Sequence, residues 1–97
     1  MVARREERRA ERVLAEVPVR IKGTVVGTTR NMSATGVYFL TDRDIAAGQV
    51  LRFVLDLDSP GGLLTLVCSG TVVRIDDSQG KRGVAVHLES SYLKRKI

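Results

Sequence analysis

A chain of 97 residues with 43% hydrophobic content has room for one domain and one modest core. Two Tyr, two Phe, no Trp and a single cysteine, Cys68, rule out an aromatic-rich core, an intrachain disulfide and a zinc site with several Cys ligands. The formal net charge of +5 is concentrated at the chain ends, which argues against the broad cationic face that grips long nucleic acid.

Residues 1–12 hold Arg4, Arg5, Arg8, Arg9 and Arg12 against Glu6, Glu7 and Glu11, and residues 3–12 have no apolar side chain larger than alanine. Such a segment has no face to bury and reads as a flexible arm, or as one ordered by a ligand. Arg8 and Arg12 stand one helical turn apart and repel each other; an anion between them reverses the sign of that effect. The basic start is not followed by an apolar stretch of the kind a secretory peptide needs, and no run has the length of a membrane helix. A soluble, cytoplasmic protein is the expectation.

From Val17 the period changes to two. Val17, Val19 and Ile21 alternate with Pro18, Arg20 and Lys22, a strand with one buried face that Pro18 either begins or marks as an edge. Gly23 and Gly27 bracket a continuation, bent at glycine or folded at a tight turn. Val37 and Phe39 belong to the next strand, and residues 42–47 have room for one helical turn capped by Asp42. Leu51, Phe53, Leu55 and Leu57 alternate cleanly, residues 58–62 are a strong turn signal, and a long strand follows over 63–75. Residues 76–81 read as a polar turn, with Asp76 and Asp77 as a turn pair, before a last strand through Val84, Val86 and Leu88. Five or six strands with turn-rich connections predict an antiparallel sandwich or barrel. The division expected is an arm over 1–12, a β-domain over 13–92, and a basic tail over 93–97 with Lys94, Arg95 and Lys96.

Two clusters carry chemistry. Arg8, Arg9 and Arg12 offer guanidinium forks that match phosphate oxygens and the O6/N7 edge of guanine, and their planes stack on purines. In residues 31–36, Asn31 supplies an amide donor and a carbonyl acceptor, and Ser33 a hydroxyl. In an extended chain these two side chains project to one side, and Gly36 lets the chain turn or approach a ligand without a Cβ. Arg74, near the end of a long strand, is a further candidate for the ligand face. His87 reads as an ordinary strand-face residue, Cys68 as a small buried one, and Asp56 and Asp58 as solvated charge. With no nucleophile–base pair, metal cluster or phosphate-cradling glycine loop, an enzyme is not expected, nor a metal or cofactor.

Taken together, Arg8-x-x-x-Arg12, eighteen intervening residues, and Asn31-x-Ser33-x-x-Gly36 resemble the paired motifs RxxxR and [D/N]xSxxG of the PilZ family. The first strand at residues 17–21 and the closing residues Gly83-Val84-Ala85-Val86 are similar to that family as well. The resemblance implies a six-stranded antiparallel β-barrel that binds cyclic di-GMP. Arg8 and Arg12 then grip phosphates and guanine edges, Arg9 assists, Asn31 and Ser33 contact a guanine, and Gly36 shapes the loop. A bacterial second-messenger receptor of this kind orders its arm on binding and relays the signal to an effector protein in motility, biofilm or exopolysaccharide control. No membrane and no nucleic-acid polymer is expected as partner. Two rivals are a small nucleic-acid-binding barrel, and a PilZ-like barrel that acts only as a protein-interaction module.

Overall fold

Lys22 and Gly23 both adopt positive φ, 53° and 81°, the pair of left-handed positions that a two-residue I′ hairpin turn requires. They fold β1 (Pro18–Ile21) back on β2 (Thr24–Met32), with Ile21 opposite Thr24. Of the two readings of Gly23, the tight turn is therefore the right one. The computed structural model describes residues 16–78 and 80–95. Four more strands follow: β3 (Gly36–Thr41), β4 (Val50–Ser59), β5 (Gly62–Ser78) and β6 (Lys81–Arg95). Every pairing is antiparallel, and the sheet closes in the order β1-β2-β3-β6-β5-β4. The closing seam is short, Val19 opposite Leu55 and Arg20 opposite Val54.

The phase of the alternation decides what the barrel encloses. Leu51, Phe53 and Leu55 of β4 turn inward and are buried, while Arg52, Val54 and Asp56 turn out. Val19, Val37, Phe39, Val72, Val84 and Val86 complete the interior, and Phe39 and Phe53 meet with ring centroids 6.0 Å apart at 45°. Aromatic pairs favour such a tilt. Burying each of these side chains contributes roughly 1.5–3 kcal/mol, so truncating either Phe to Ala costs about 3–5 kcal/mol. Cys68 is buried among them at 1% exposure, and that burial pushes its thiol pKa up to about 11. At neutral pH it stays a protonated, unreactive small residue.

Three expectations are corrected. No helical turn forms over residues 42–47. Their backbone is committed elsewhere: the Thr41 hydroxyl accepts the Arg43 N–H, Ile45 is buried in the core, and the Gly48 N–H reaches across to the Val72 carbonyl. Asp76 and Asp77 lie in β5, paired with Gly83 and Arg82, so the two acids are strand residues rather than a turn pair. Finally β6 runs on to Arg95, so residues 93–95 are strand rather than tail, held by pairing with Leu64, Thr65 and Leu66.

Candidate functional site

The register of the barrel brings Asn31 and Arg74 onto one line. Asn31 pairs with Tyr38, Tyr38 with Ala85, and Ala85 with Arg74. The row crosses β2, β3, β6 and β5 on the outer face, because the neighbours Val37, Phe39, Val84 and Val86 occupy the inner one. Beside it runs a second row, Gly36 opposite His87 and His87 opposite Thr71. The small residues Gly36 and Ala85 thus lie between Asn31 and Tyr38 on one side and His87 and Arg74 on the other. This leaves a shallow outer platform with polar corners.

Register alone does not fix the platform; a side-chain cluster does. The Tyr38 hydroxyl donates to Asp76 Oδ1 at 2.6 Å. That bond, then burial and the nearby Asp76 charge, hold the phenol pKa above its ordinary 10.0, with Arg74 and Ser78 acting the other way. Arg74 places its guanidinium carbon 5.9 Å from the Tyr38 ring centroid and its Nε 3.5 Å from Asp76 Oδ2. Gly83 is bare for a reason: a Cβ there overlaps the Tyr38 hydroxyl and the Asp76 carboxylate. Sequence reading passed over Tyr38, Asp76 and Gly83 as site residues, since their only signal was a spacing that makes sense once the strands are in register.

At the loop end of the platform, the Ser33 N–H donates to the Gly36 carbonyl at 2.8 Å, and Ser33 Oγ accepts the Thr35 N–H at 3.3 Å. The hydroxyl therefore caps its own turn. Asn31 is the last but one residue of β2 and half-buried, whereas Ser33 lies just past the strand and is exposed. Gly36 needs no left-handed φ; its Cβ position falls 3.3 Å from the Val86 carbonyl, so close approach rather than turning is what the glycine permits. Arg74 is 64% exposed in its side chain, with its cationic face open to solvent.

The chain enters the barrel at this same end. The Val17 N–H donates to Thr29 Oγ1 at 3.0 Å, and the Thr29 N–H returns a bond to the Val17 carbonyl at 2.9 Å. Thr29 is fully buried, so this pair fixes where the preceding residues emerge. Glu16 sits 3.6 Å from the Arg30 guanidinium, at the bulge next to Asn31. Arg8, Arg9 and Arg12 themselves lie outside the described residues.

The sequence profile of the PilZ domain matches residues 3–95. The chain belongs to the PilZ domain family. The Bacillus subtilis inhibitor of motility (MotI/DgrA) has a similar structure, with a TM-score of 0.69 at 19% identity over 81% of this chain. The match spans 41% of that protein, and at this identity it speaks for the fold alone. No curated protein matches the chain in sequence. The fold is a PilZ barrel, six antiparallel strands closed on themselves, and PilZ domains form a family of cyclic di-GMP receptor modules rather than enzymes. Among the described residues no helix is long and apolar enough to cross a membrane, and no group of His, Cys, Asp or Glu is placed to hold a metal ion. The nucleic-acid rival needs exposed aromatics in series, yet Phe39 and Phe53 are core residues and Tyr38 is bound to Asp76.

Proposed function

We propose that this PilZ domain is a cyclic di-GMP receptor that clamps the dinucleotide between the platform and the arginines of residues 8–12. The observation that carries the reading is the row from Asn31 to Arg74, with the loop of Ser33 and Gly36 at one end. A guanine laid on the small residues Gly36 and Ala85 presents its edge to the Asn31 amide, and Arg74 offers a guanidinium fork from the opposite corner. Arg8, Arg9 and Arg12 supply the charge that offsets the two phosphates. A four-residue tether spans at most roughly 14 Å, and the described chain begins at Glu16 beside Arg30. In this reading a tether of that length lets Arg12 reach the Asn31 end of the barrel.

In this mechanism the ligand joins two parts of one chain. The dinucleotide fixes residues 8–12 against the barrel, and the fixed segment forms a surface that an effector reads, with differential affinity for the closed form as the driving force. Titration calorimetry of the full chain with cyclic di-GMP, GMP and cyclic di-AMP tests it and reports stoichiometry at once. Saturable binding of cyclic di-GMP alone, lost at least tenfold in Arg12→Ala and in Asn31→Ala, is the expected result. Binding unaffected by both substitutions would rule the site out.

A further inference from the structure

β6 outlasts the strand that covers one of its sides. β3 has 6 residues and β6 has 15, so β3 accounts for residues 82–87 of β6 only. The Leu88 N–H makes the last bond on that side, to the Thr35 carbonyl at 2.9 Å. Residues 90–95 pair with β5, Glu89 is the extra residue of a bulge, and no strand lies on their other side among the described residues. The whole run is exposed, Tyr92 and Leu93 to 58% each. A strand with one vacant side presents a row of N–H and C=O groups to any extended chain that reaches it.

The side chains around that edge select what is welcome. Tyr92 stands on the outer face in line with Val67 and Val54, and Lys94 in line with Thr65. A cleft of about 420 Å³ opens there between Arg20, Val54, Val67, Lys94 and Arg95. Arg20 is neutralised by Asp56 at 2.7 Å. Arg52, Lys94 and Arg95 have no ion pair with any described residue. Leu93, in line with Leu66, belongs to the opposite, apolar face of the ribbon. The single acid of the run, Glu89, already accepts the Thr71 hydroxyl at 2.9 Å.

We propose that residues 89–95 of β6 take an acidic, extended segment of a partner protein as an added β-strand. Alternate side chains of such a segment fall on opposite faces. Its apolar set covers Leu93 on one face, and its carboxylates on the other reach Lys94, beside the cleft that Arg95 also lines. Main-chain bonds attach the segment, and the charge pattern chooses it. A second copy of this chain brings the same run of Lys94 and Arg95 on a body of net charge +5, and residues 1–12 carry an excess of arginine over glutamate. Both approach with the charge the edge repels. This edge is separate from the platform and does not depend on the ligand proposed there.

The test is a titration of the ¹⁵N-labelled full chain with a synthetic octapeptide that alternates valine and glutamate. Saturable amide shifts confined to residues 89–95 and their β5 partners are expected. The double variant Lys94→Glu, Arg95→Glu weakens binding at least tenfold. N-methylating one alternate set of peptide amides weakens it at least tenfold too, while side chains and charge stay the same. Three results would overturn the proposal: shifts elsewhere on the barrel, no binding, or equal binding by the peptides methylated on either set. So would protection from exchange, in the free chain, of the amides of 89–95 that point away from β5, whether as a monomer or, by sedimentation, as a dimer.

Discussion

Arg74 and Tyr38, far apart in sequence, form a cation–π pair on the outer wall of the barrel, and Asp76 holds both. The arrangement separates two jobs. Tyr38 is fastened down by its hydroxyl, whereas Arg74 is held loosely, at 3.5 Å from Asp76, and stays free to engage an anion. Arg74→Ala is therefore expected to lower cyclic di-GMP affinity about tenfold or more, since charge-assisted contacts are worth roughly 1.5–3 kcal/mol. Its effect on the urea midpoint is small, because exposed pairs contribute little. Calorimetry and denaturation of the one variant read the two quantities apart.

Gly83→Ala pushes a methyl group into the Tyr38 hydroxyl and Asp76. Overpacking of this sort costs about 1–3 kcal/mol. The same substitution in a Tyr38→Ala background costs less, because the obstructing ring is gone. A double-mutant cycle on denaturant midpoints should return a coupling of at least about 0.5 kcal/mol; strict additivity would mean that the ring does not lie over Gly83.

Asn31→Asp replaces a neutral acceptor by a carboxylate at the corner of the platform. Charged acceptors bind N–H donors about twice as strongly, so guanine recognition through this position tightens, and cyclic di-GMP binds several-fold better. Competition between cyclic di-GMP and cyclic di-AMP shows whether the gain is specific for guanine, whose N1–H and N2–H₂ groups are the donors concerned.

Thr29→Val removes the buried hydroxyl that accepts the Val17 N–H. Leaving that donor unpaired costs about 1–3 kcal/mol. Because Val17 is where the arginine-bearing segment joins the barrel, ligand affinity falls along with stability. Thermal melts with and without cyclic di-GMP measure both, with a smaller ligand-induced rise in Tm for the variant.

Cys68 gives a pH signature. Burial raises its thiol from 9.0 to about 11, so the folded chain keeps a proton that the unfolded chain releases between those values. The contribution is complete below pH 9 and is lost as pH rises through 11, a change of roughly 2–3 kcal/mol at 1.36 kcal/mol per unit. The stability gap between the wild-type chain and Cys68→Ala should shrink by about that amount between pH 8 and 11, followed by urea denaturation at each pH.

The alternation of Leu51, Phe53 and Leu55 and the turn at Pro60 and Gly61 were legible in the sequence because a period of two and a turn dipeptide are local signals. They left the count at five or six strands, and the family resemblance chose six. What the sequence left unread depends on register: Tyr38 meets Asp76 across a separation of 38 residues. Arg20 likewise captures Asp56, which reads from its neighbours as solvated charge, through the short β1–β4 seam. The missing helical turn over residues 42–47 has the same origin, since Gly48 and Gln49 exchange bonds with the distant Val72 of β5. Asn31 and Ser33 were legible by residue type. That Ser33 caps its own turn was not, because it depends on how residues 33–36 fold back.

The strand order has a consequence for biosynthesis. β6 is made after every other strand, yet its place is between β3 and β5. Until it leaves the ribosome, the first five strands can assemble at most into an open curved sheet, joined in the middle by the four-residue β1. The apolar lining of that sheet, Phe39 and Phe53 included, is wet until the final ribbon slides into the gap. Closure is therefore a late, long-range event, and nascent chains halted near residue 80 are the species most in need of a chaperone.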